Sequence, residues 1–303
     1  SAPTCINPLE TSWEEGLSSL TRPPSPNPRA FQTPSAPQAP ASSFLRPPVA
    51  DSNQTMAIGH VFHPGKMQQL TIQGYNARRA RWSDLASLAG APVDLGRKQF
   101  QVVWGVTAED LAETHMRIMV DENQVFIEPF PSLNGVYLKL KPNRPVPLPP
   151  GTRFRMGRHV LEYRAADESG PGSQQPLRSE DGEVFQARAL APLGFIDVIG
   201  PDGRPCLSHP LTKTDEPGTR IGREGPRCDL ALAGDNLASS EHARIYFSGA
   251  DCFLEDLKST NGTFLRLPES KTHPIERGTA SRPDSGDVVA IGNYLICVIE
   301  ERP

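Results

Sequence analysis

The sequence of 303 residues has no apolar run of the roughly 20 residues that a membrane-spanning helix needs. Its most apolar stretch, residues 288–299, is short and contains Gly292 and Asn293. The first 30 residues also lack the apolar core of a secretory signal. We therefore expect a cytoplasmic protein without a membrane span.

Cysteine is scarce as well, and no two cysteines form a CxxC pair. The chain has five, an odd number, at widely spaced positions: Cys5, Cys206, Cys228, Cys252 and Cys297. Such a set favours reduced thiols over a disulfide framework or a zinc site.

The chain also lacks a strong excess of charge. Lys and Arg number 31 against 35 Asp and Glu, giving a formal net charge of -4. Neither nucleic acid nor an anionic membrane is attracted by such a balance. The basic run at 76–82, NARRARW, is short and lies in a net acidic chain, so no nucleic-acid partner is expected.

Motifs of enzymes are missing too. The sequence contains no P-loop, no kinase-like glycine-rich strand and no G-x-S-x-G motif. His60 and His63 are close in sequence, but in a strand they would point to opposite faces and could not share a metal ion. We expect a non-enzymatic protein with no cofactor and no metal site.

Proline is abundant, with 32 residues, while hydrophobic residues make up 37% of the chain. Part of the chain should therefore lack a core. Residues 1–56 contain PPSPNP, TPSAPQAP and LRPP, which predicts a Pro-rich extended tail. One apolar and acidic segment, residues 7–20, interrupts the tail. It is either a solvated segment or a short docking helix.

Two series of strand-like runs follow the tail. They are short, rich in Val, Ile, Tyr and Phe, as in the run FQVVWG at 100–105, and separated by Gly, Pro and Asn, which is typical of an all-β fold. The first series spans residues 57–166 and the second 185–303, with a polar linker at 167–184. We predict two tandem antiparallel β-sandwiches. Within the first, residues 83–90 begin with a serine and predict one inserted helical turn.

The two series are also copies of each other. Gly96-Arg97 matches Gly222-Arg223, THMRIMV matches EHARIYF, and PSLNGVYLKL matches KSTNGTFLRL. His115 and Asn134 are 19 positions apart, as are His242 and Asn261. The first series should therefore adopt a diverged version of the fold of the second.

Three polar turns of the second series are its most informative feature. They are TRIGRE (219–224), SSEHARI (239–245) and DLKSTNGTFL (256–265), and they are followed by Gly286-Asp287 and Ile291-Gly292. This order resembles the forkhead-associated (FHA) domain, a reader of phosphothreonine peptides. The resemblance covers roughly residues 185–301, about a third of the chain.

A phosphothreonine carries nearly two negative charges and three strong acceptor oxygens, so its reader needs a cation and several neutral donors. The resemblance implies that Arg223 meets two phosphate oxygens with its planar guanidinium. It implies hydroxyl donors at Ser239 and Thr260 and a backbone N–H at Ser240. Asn261 would pair with the peptide backbone beside the phosphothreonine.

Other residues of these turns are expected to be structural. Gly222 and Gly262 should form tight turns in which a Cβ would be an obstacle. His242 should tie the loops together by a hydrogen bond, and Asp256 should accept hydrogen bonds within its turn. The family often has Arg or Asn at the position of Ser240, so a side-chain contact there is not implied.

The first series lacks part of this chemistry. Ala112 stands in the place of Ser239 and Leu133 in the place of Thr260, while Arg97 and Asn134 remain. We expect it to keep the fold and lose phosphate binding.

The chain as a whole is thus expected to be a phosphothreonine-peptide-binding adaptor or regulatory protein. Its partner would be a phosphothreonine-containing protein, such as a Ser/Thr kinase or a kinase substrate. The alternative is a structural scaffold subunit of a larger assembly, in which the FHA folds dock partners without phosphate and the tail wraps a partner.

Overall fold

The computed structural model of the chain describes residues 70–76, 81–166, 192–213 and 217–300. The predicted tail at 1–56 and the linker at 167–184 lie outside these ranges. We call the described residues 70–166 the first repeat and 192–300 the second repeat.

The first repeat forms nine strands and one helix. They are β1 (Leu70–Asn76), β2 (Arg81–Leu88), β3 (Val93–Leu95), α1 (Arg97–Trp104), β4 (Met116–Asp121), β5 (Gln124–Pro129), β6 (Val136–Lys139), β7 (Val146–Pro147), β8 (Arg153–Met156) and β9 (His159–Ala165).

The second repeat forms eleven strands and a short 3-10 turn. They are β10 (Gly194–Ile199), β11 (Pro205–Leu211), β12 (Thr219–Gly222), β13 (Leu230–Ala231), β14 (Ala243–Ser248), β15 (Asp251–Asp256), β16 (Thr263–Arg266), β17 (His273–Ile275), β18 (Gly278–Thr279), the 3-10 turn Pro283–Ser285, β19 (Val289–Ile291) and β20 (Tyr294–Glu300).

The hairpin of β4 and β5 shows how local sequence specifies these strands. Apolar residues alternate along both strands, so that Met116 and Ile118 are buried on the same face as Ile127. The turn residues Glu122 and Asn123 have φ of 44° and 71°, and two positive φ values give a two-residue turn whose twist matches that of the strands.

The strands form three sheets among the described residues. An 11-stranded sheet follows the order β11-β10-β9-β8-β16-β6-β19-β20-β1-β2, with β18 beside β20. A 5-stranded sheet has the order β13-β12-β14-β15-β7, and a 4-stranded sheet has the order β17-β5-β4-β3. Each smaller sheet packs on one half of the large sheet, and this gives two sandwiches.

The two repeats exchange strands in building these sandwiches. The first sandwich combines β1 to β6 with β17, β18, β19 and β20, which come from the second repeat. The second sandwich combines β10 to β16 with β7, β8 and β9, which come from the first repeat. The last strands of each repeat therefore lie in the sandwich that contains the first strands of the other repeat.

The exchange occurs directly after β6 and β16. These two strands pair antiparallel with each other, with Leu138 opposite Leu265, and so join the halves of the large sheet. The chain crosses into the second sandwich at Leu140 and returns to the first at Leu267, each of which is buried in the core it enters.

The buried cores show the same division. The first core contains Ile72 and Met116 together with Ile296 and Val298 of the second repeat. The second core contains Phe154 and other residues of β8 and β9 together with the apolar residues of β10 to β15. Burial of apolar surface is the dominant stabilising contribution in folding, so neither repeat can complete a core without the other.

The all-β prediction and the antiparallel sandwiches are confirmed. The domain bounds 57–166 and 185–303 stay predictions. The strand pairing shows that each sandwich contains strands from both ranges.

Two local predictions are wrong. Residues 83–90 are not a helical turn, because 83–88 belong to β2, which pairs along its length with β1. The run FQVVWG was expected to be a strand, but most of it lies in α1. Phe100 of this helix is fully buried and packs against Tyr294 with 4.4 Å between ring centroids. This tertiary contact outweighs the β-propensity of the run.

The expectation of five reduced cysteines is wrong at one position. Cys206 is disulfide-bonded. The expectation for Cys5 falls outside the described residues. Cys228, Cys252 and Cys297 are free. Among the described helices, none is long and apolar enough to cross a membrane.

Candidate functional site

Three loops of the second repeat meet at one end of the sheet formed by β12, β14 and β15. Ile221 at the end of β12 lies opposite Ala243 at the start of β14, and Ala243 lies opposite Asp256 at the end of β15. The loop after β12, the loop before β14 and the loop after β15 are therefore neighbours, and the three polar turns singled out in the sequence come together.

Ser239 connects all three loops. The backbone N–H of Arg223 donates to the Ser239 carbonyl oxygen at 2.9 Å. The backbone N–H of Thr260 donates to the Ser239 Oγ at 3.0 Å, and this Oγ lies 3.3 Å from the Thr260 Oγ1, to which it donates. Two hydroxyls thus lie side by side next to the base of the arginine.

The Arg223 side chain is exposed, and its guanidinium has no hydrogen-bond or ion-pair partner within the part of the chain that the structure describes. The neighbouring acid, Glu241, is held by Arg220 at 2.7 Å and by Arg227 at 2.9 Å. Because this carboxylate is already paired with two guanidinium groups, it does not compete strongly for Arg223. The site therefore presents an open cation next to two hydroxyls.

His242 ties the loops together, as the sequence predicted. Its Nδ1 accepts a hydrogen bond from the Ser239 N–H at 3.0 Å, so its Nε2 carries the proton and donates to the Gly262 carbonyl at 3.1 Å. The ring is fully buried, and burial lowers the pKa of His242 below its usual value. The imidazole is neutral and structural.

Asp256 orders the turn that carries Thr260. Its carboxylate accepts hydrogen bonds from the Ser259 N–H at 3.0 Å, the Ser259 Oγ at 2.6 Å and the Thr263 Oγ1 at 2.7 Å. Gly262 in this turn has φ of 89°, a conformation that favours glycine. The prediction that Asp256 is a turn acceptor is confirmed.

Gly222 is needed for a close approach between loops. A Cβ at this position would lie 2.2 Å from the carbonyl oxygen of Ser240. That same carbonyl accepts a hydrogen bond from the Cys228 Sγ at 2.7 Å, so it cannot easily move away. Ser240 itself is exposed beside Ser239, and the phosphate contact of its N–H stays a prediction.

Asn261 contacts the protein itself, and its contact with a peptide stays a prediction. Its Nδ2 uses one of its two N–H groups to donate to the Leu237 carbonyl at 2.8 Å. Its Oδ1 is buried and has no hydrogen-bond partner in the described structure. A buried polar atom without a partner is unfavourable.

The first repeat reproduces the same ties between its loops. The Arg97 N–H donates to the Ala112 carbonyl at 2.9 Å, and the Ala112 N–H donates to the His115 Nδ1 at 3.1 Å. The His115 Nε2 lies 2.9 Å from the Gly135 carbonyl oxygen, and the Asn134 Nδ2 donates to a backbone carbonyl at 2.7 Å. The loop scaffold is therefore present in both repeats.

The surface of the first site is nevertheless different. Ala112 supplies no hydroxyl, and Leu133 is an apolar side chain that is 89% exposed. The Arg97 Nε donates to the carbonyl oxygen of Leu111 at 3.1 Å, so this guanidinium is partly engaged. The residues that would hold a phosphate are missing or occupied.

The profile of the FHA domain family matches residues 93–157 and 219–292. The chain carries two FHA domains. Among curated proteins and solved structures, none matches the chain significantly. FHA domains generally mediate phosphothreonine-dependent protein–protein interactions and are interaction modules without catalytic activity.

The two matched ranges correspond to the two repeats and extend across the exchange. Residues 93–157 contribute β3 to β6 to the first sandwich and β7 and β8 to the second. Each sandwich therefore has the three loops tied by its buried histidine from one repeat and its closing strands from the other. Among the described residues, no cluster of His, Cys, Asp or Glu could hold a metal ion.

Sequence reasoning missed two residues behind the second FHA site. Asp235 is buried within the loop between β13 and β14, and its Oδ2 lies 3.0 Å from the His159 Nδ1. The two residues are 76 positions apart and belong to different repeats. No spacing or motif in the sequence indicates this contact, because it arises only from the strand exchange.

Proposed function

We propose that the chain is a non-enzymatic adaptor that binds a phosphothreonine-containing partner protein through the second FHA repeat. The observation that supports this most directly is the convergence of the open Arg223 with the hydroxyls of Ser239 and Thr260. A guanidinium next to aligned hydroxyl and amide donors matches a phosphate dianion in charge and in hydrogen bonding.

The arrangement also accounts for the specificity of such a reader. Loops tied by His242 and Asp256 hold the donors before a ligand arrives, and preorganised donors lose little entropy on binding. The unpartnered Asn261 Oδ1 would accept an N–H of the bound peptide backbone. Phosphate and peptide would then be recognised together.

The proposal is tested with a library of phosphothreonine peptides and its unphosphorylated counterpart, applied to the full chain. Phosphorylated peptides should bind more tightly, and Arg223→Ala should weaken this binding by about 2 to 5 kcal/mol, because it removes the cation that pairs with the phosphate. Arg97→Ala in the first repeat is the matched control and should leave the affinity unchanged. Equal binding of both libraries would exclude the proposal.

The first repeat favours a second function, docking of a partner without phosphate. Its loops keep the FHA scaffold but present Ala112 and the exposed Leu133 in place of hydroxyls. With an exposed apolar side chain in place of a hydroxyl and a guanidinium that is partly engaged, this tip is poorly suited to a phosphate and suited to a protein contact. On this basis the chain would be a scaffold subunit of a larger assembly.

The kinase or substrate identity of the partner, the cytoplasmic location and the wrapping of an assembly by residues 1–56 stay predictions.

A further inference from the structure

The phosphate loops of the second repeat rest on a turn that belongs to the first repeat. This turn joins β8 to β9 and contains Gly157 and Arg158, followed by His159. The Asp235 Oδ2 accepts hydrogen bonds from the Arg158 N–H at 2.7 Å and from the His159 Nδ1 at 3.0 Å. Gly157 has φ of 55°, and a Cβ there would lie 2.1 Å from the same oxygen. The contact therefore requires a glycine.

The contact continues from Asp235 into the site. The Asp235 Oδ1 accepts a hydrogen bond from the Leu237 N–H at 2.9 Å, and the Leu237 carbonyl accepts one from the Asn261 Nδ2 at 2.8 Å. Ala238 donates its N–H to the Asp235 carbonyl at 3.2 Å, and Ser239 follows directly. One chain of hydrogen bonds thus links His159 to both loops that carry phosphate donors.

The Asp235 carboxylate is charged although it is almost fully buried. Burial by itself would raise the pKa of Asp235, but the hydrogen bonds from His159 and from the N–H groups of Arg158 and Leu237 outweigh burial and hold the pKa below its usual value. A buried carboxylate that loses one of its donors is strongly destabilised. The loop conformation therefore depends on a side chain of the other repeat.

The first sandwich has a weaker version of this contact. The Asp110 Oδ2 accepts a hydrogen bond from the Asn293 N–H at 2.7 Å, and Gly292 lies against the same carboxylate. Tyr294, which follows Asn293, stands where the second sandwich has His159, and it packs on Phe100. His159 therefore has no histidine counterpart in the first sandwich, whose loops carry Ala112 and Leu133 in place of Ser239 and Thr260.

We propose that the first repeat serves as the positioning element of the phosphate site of the second repeat, with His159 as the positioning residue. This inference rests on the proposed function. It gives the first repeat a role that needs no phosphate binding of its own, because the turn before β9 orders Asp235, Leu237 and Ser239 for a ligand that the second repeat binds.

The test compares three variants of the full chain. His159→Leu removes the donor to Asp235, whereas His159→Asn keeps an N–H at the place of Nδ1. Asp110→Asn is the matched control, because it weakens the equivalent contact beneath the loops without hydroxyls. Affinity for the tightest-binding phosphothreonine peptide of the library is measured together with amide hydrogen exchange of residues 235–242 and 108–115.

His159→Leu should weaken phosphopeptide binding about tenfold or more and speed up amide exchange at 235–242, since a hydrogen bond to a buried charged group is lost. His159→Asn should restore most of both properties. Asp110→Asn should speed up exchange at 108–115 only and leave affinity within about twofold, a change too small to register as a lost hydrogen bond. Loss of stability alone would not separate the variants in this way.

The inference is overturned if His159→Leu binds the phosphopeptide as tightly as the unaltered chain, or if Asp110→Asn weakens binding equally. The proposed function itself fails if the unaltered chain does not prefer the phosphorylated peptide. In that case the exchange rates at 235–242 still decide whether His159 orders the loop.

Discussion

The three polar loops of the second repeat and the corresponding loops of the first repeat share their internal hydrogen bonds and differ in the side chains that they present to solvent. Both have a buried histidine that bridges two loops and an asparagine whose amide donates to a backbone carbonyl. Only the second has hydroxyls at the positions of Ser239 and Thr260, where the first has Ala112 and Leu133. The scaffold of the site and its chemistry are therefore separable.

The arginines sharpen this difference. Arg97 and Arg223 both donate their backbone N–H to the loop before the next long strand. The Arg97 guanidinium also donates to the Leu111 carbonyl, whereas Arg223 has no such contact among the described residues. A retained arginine thus does not imply a retained phosphate site, because its orientation depends on the local backbone.

The comparison of the two sandwiches depends on the exchange of strands between the repeats. A disulfide cross-link that forms only if the strands are exchanged tests this feature. Gln73 of β1 lies directly opposite Cys297 of β20. Gln73→Cys should form a disulfide with Cys297 under mild oxidation with copper phenanthroline, because directly opposed residues on paired strands bring two Cβ atoms within reach. Mass spectrometry of the unreduced digest detects the linked peptides.

The control for this cross-link places the second cysteine on β9, which would neighbour β1 if the repeats did not exchange strands. Glu162 corresponds to Cys297 when Gly157 is aligned with Gly292. A chain with Gln73→Cys, Glu162→Cys and Cys297→Ser should form no disulfide between positions 73 and 162. Efficient formation of that disulfide would show that each repeat closes its own sandwich.

The next largest effect is expected on phosphopeptide affinity when the second site is given the side chains of the first. Ser239→Ala with Thr260→Leu removes both hydroxyls and leaves Arg223 in place. Loss of two charge-assisted hydrogen bonds, each about 1.5 to 3 kcal/mol, should weaken phosphopeptide binding by about two to four powers of ten. Fluorescence anisotropy with a labelled phosphopeptide measures the change, and amide exchange of β14 and β15 serves as the control for folding. A loss below about fivefold would mean that the hydroxyls do not decide the difference.

The smallest effect concerns what the two regions share. Burial lowers the pKa of both His115 and His242, so the folded chain keeps these rings neutral at a pH where the unfolded chain protonates them. The unfolded state then binds more protons, and the free energy of unfolding should fall as the pH drops below about 6.5, by up to about 1.4 kcal/mol per pH unit for each ring. Urea unfolding at pH 7.5, 6.5 and 5.5 measures this.

An NMR titration that resolves the imidazole signals shows whether His115 and His242 cause this pH dependence. Both rings should stay neutral at pH 6.5 in the folded chain. Protonation of either ring at or above that pH would contradict the structural role given to it.

Much of the fold could be predicted where the pattern is local. Alternating burial in β4, β5, β14 and β15 follows the alternating apolar residues of the sequence. The helix α1 could not be predicted in this way, since the run that contains Val102 and Val103 has the composition of a strand. Phe100 and Trp104 of α1 pack on Tyr294, about 190 positions further along the chain, and such a contact is invisible to a local pattern.

For the candidate site, the types of residue could be predicted from the sequence, but some of their hydrogen-bond partners could not. The roles of His242, Asp256 and Gly262 in tying and turning the loops follow from side-chain chemistry at short range. The use of the Asn261 amide for Leu237 depends on how two loops approach each other. Such an approach is decided by the packing beneath the loops.

The sequence by itself determined the two repeats, the strand-forming pattern and the replacement of Ser239 and Thr260 by Ala112 and Leu133 in the first repeat. The tertiary structure alone decided which strands close which sandwich, and with it the contact between His159 and Asp235. The physical reason lies in the similarity of the repeats. Both sets of closing strands place apolar residues at the core-facing positions, namely Phe154, Met156, Leu161 and Tyr163 in one set and Val289, Ile291, Ile296 and Val298 in the other, so this pattern does not indicate which set closes which sandwich.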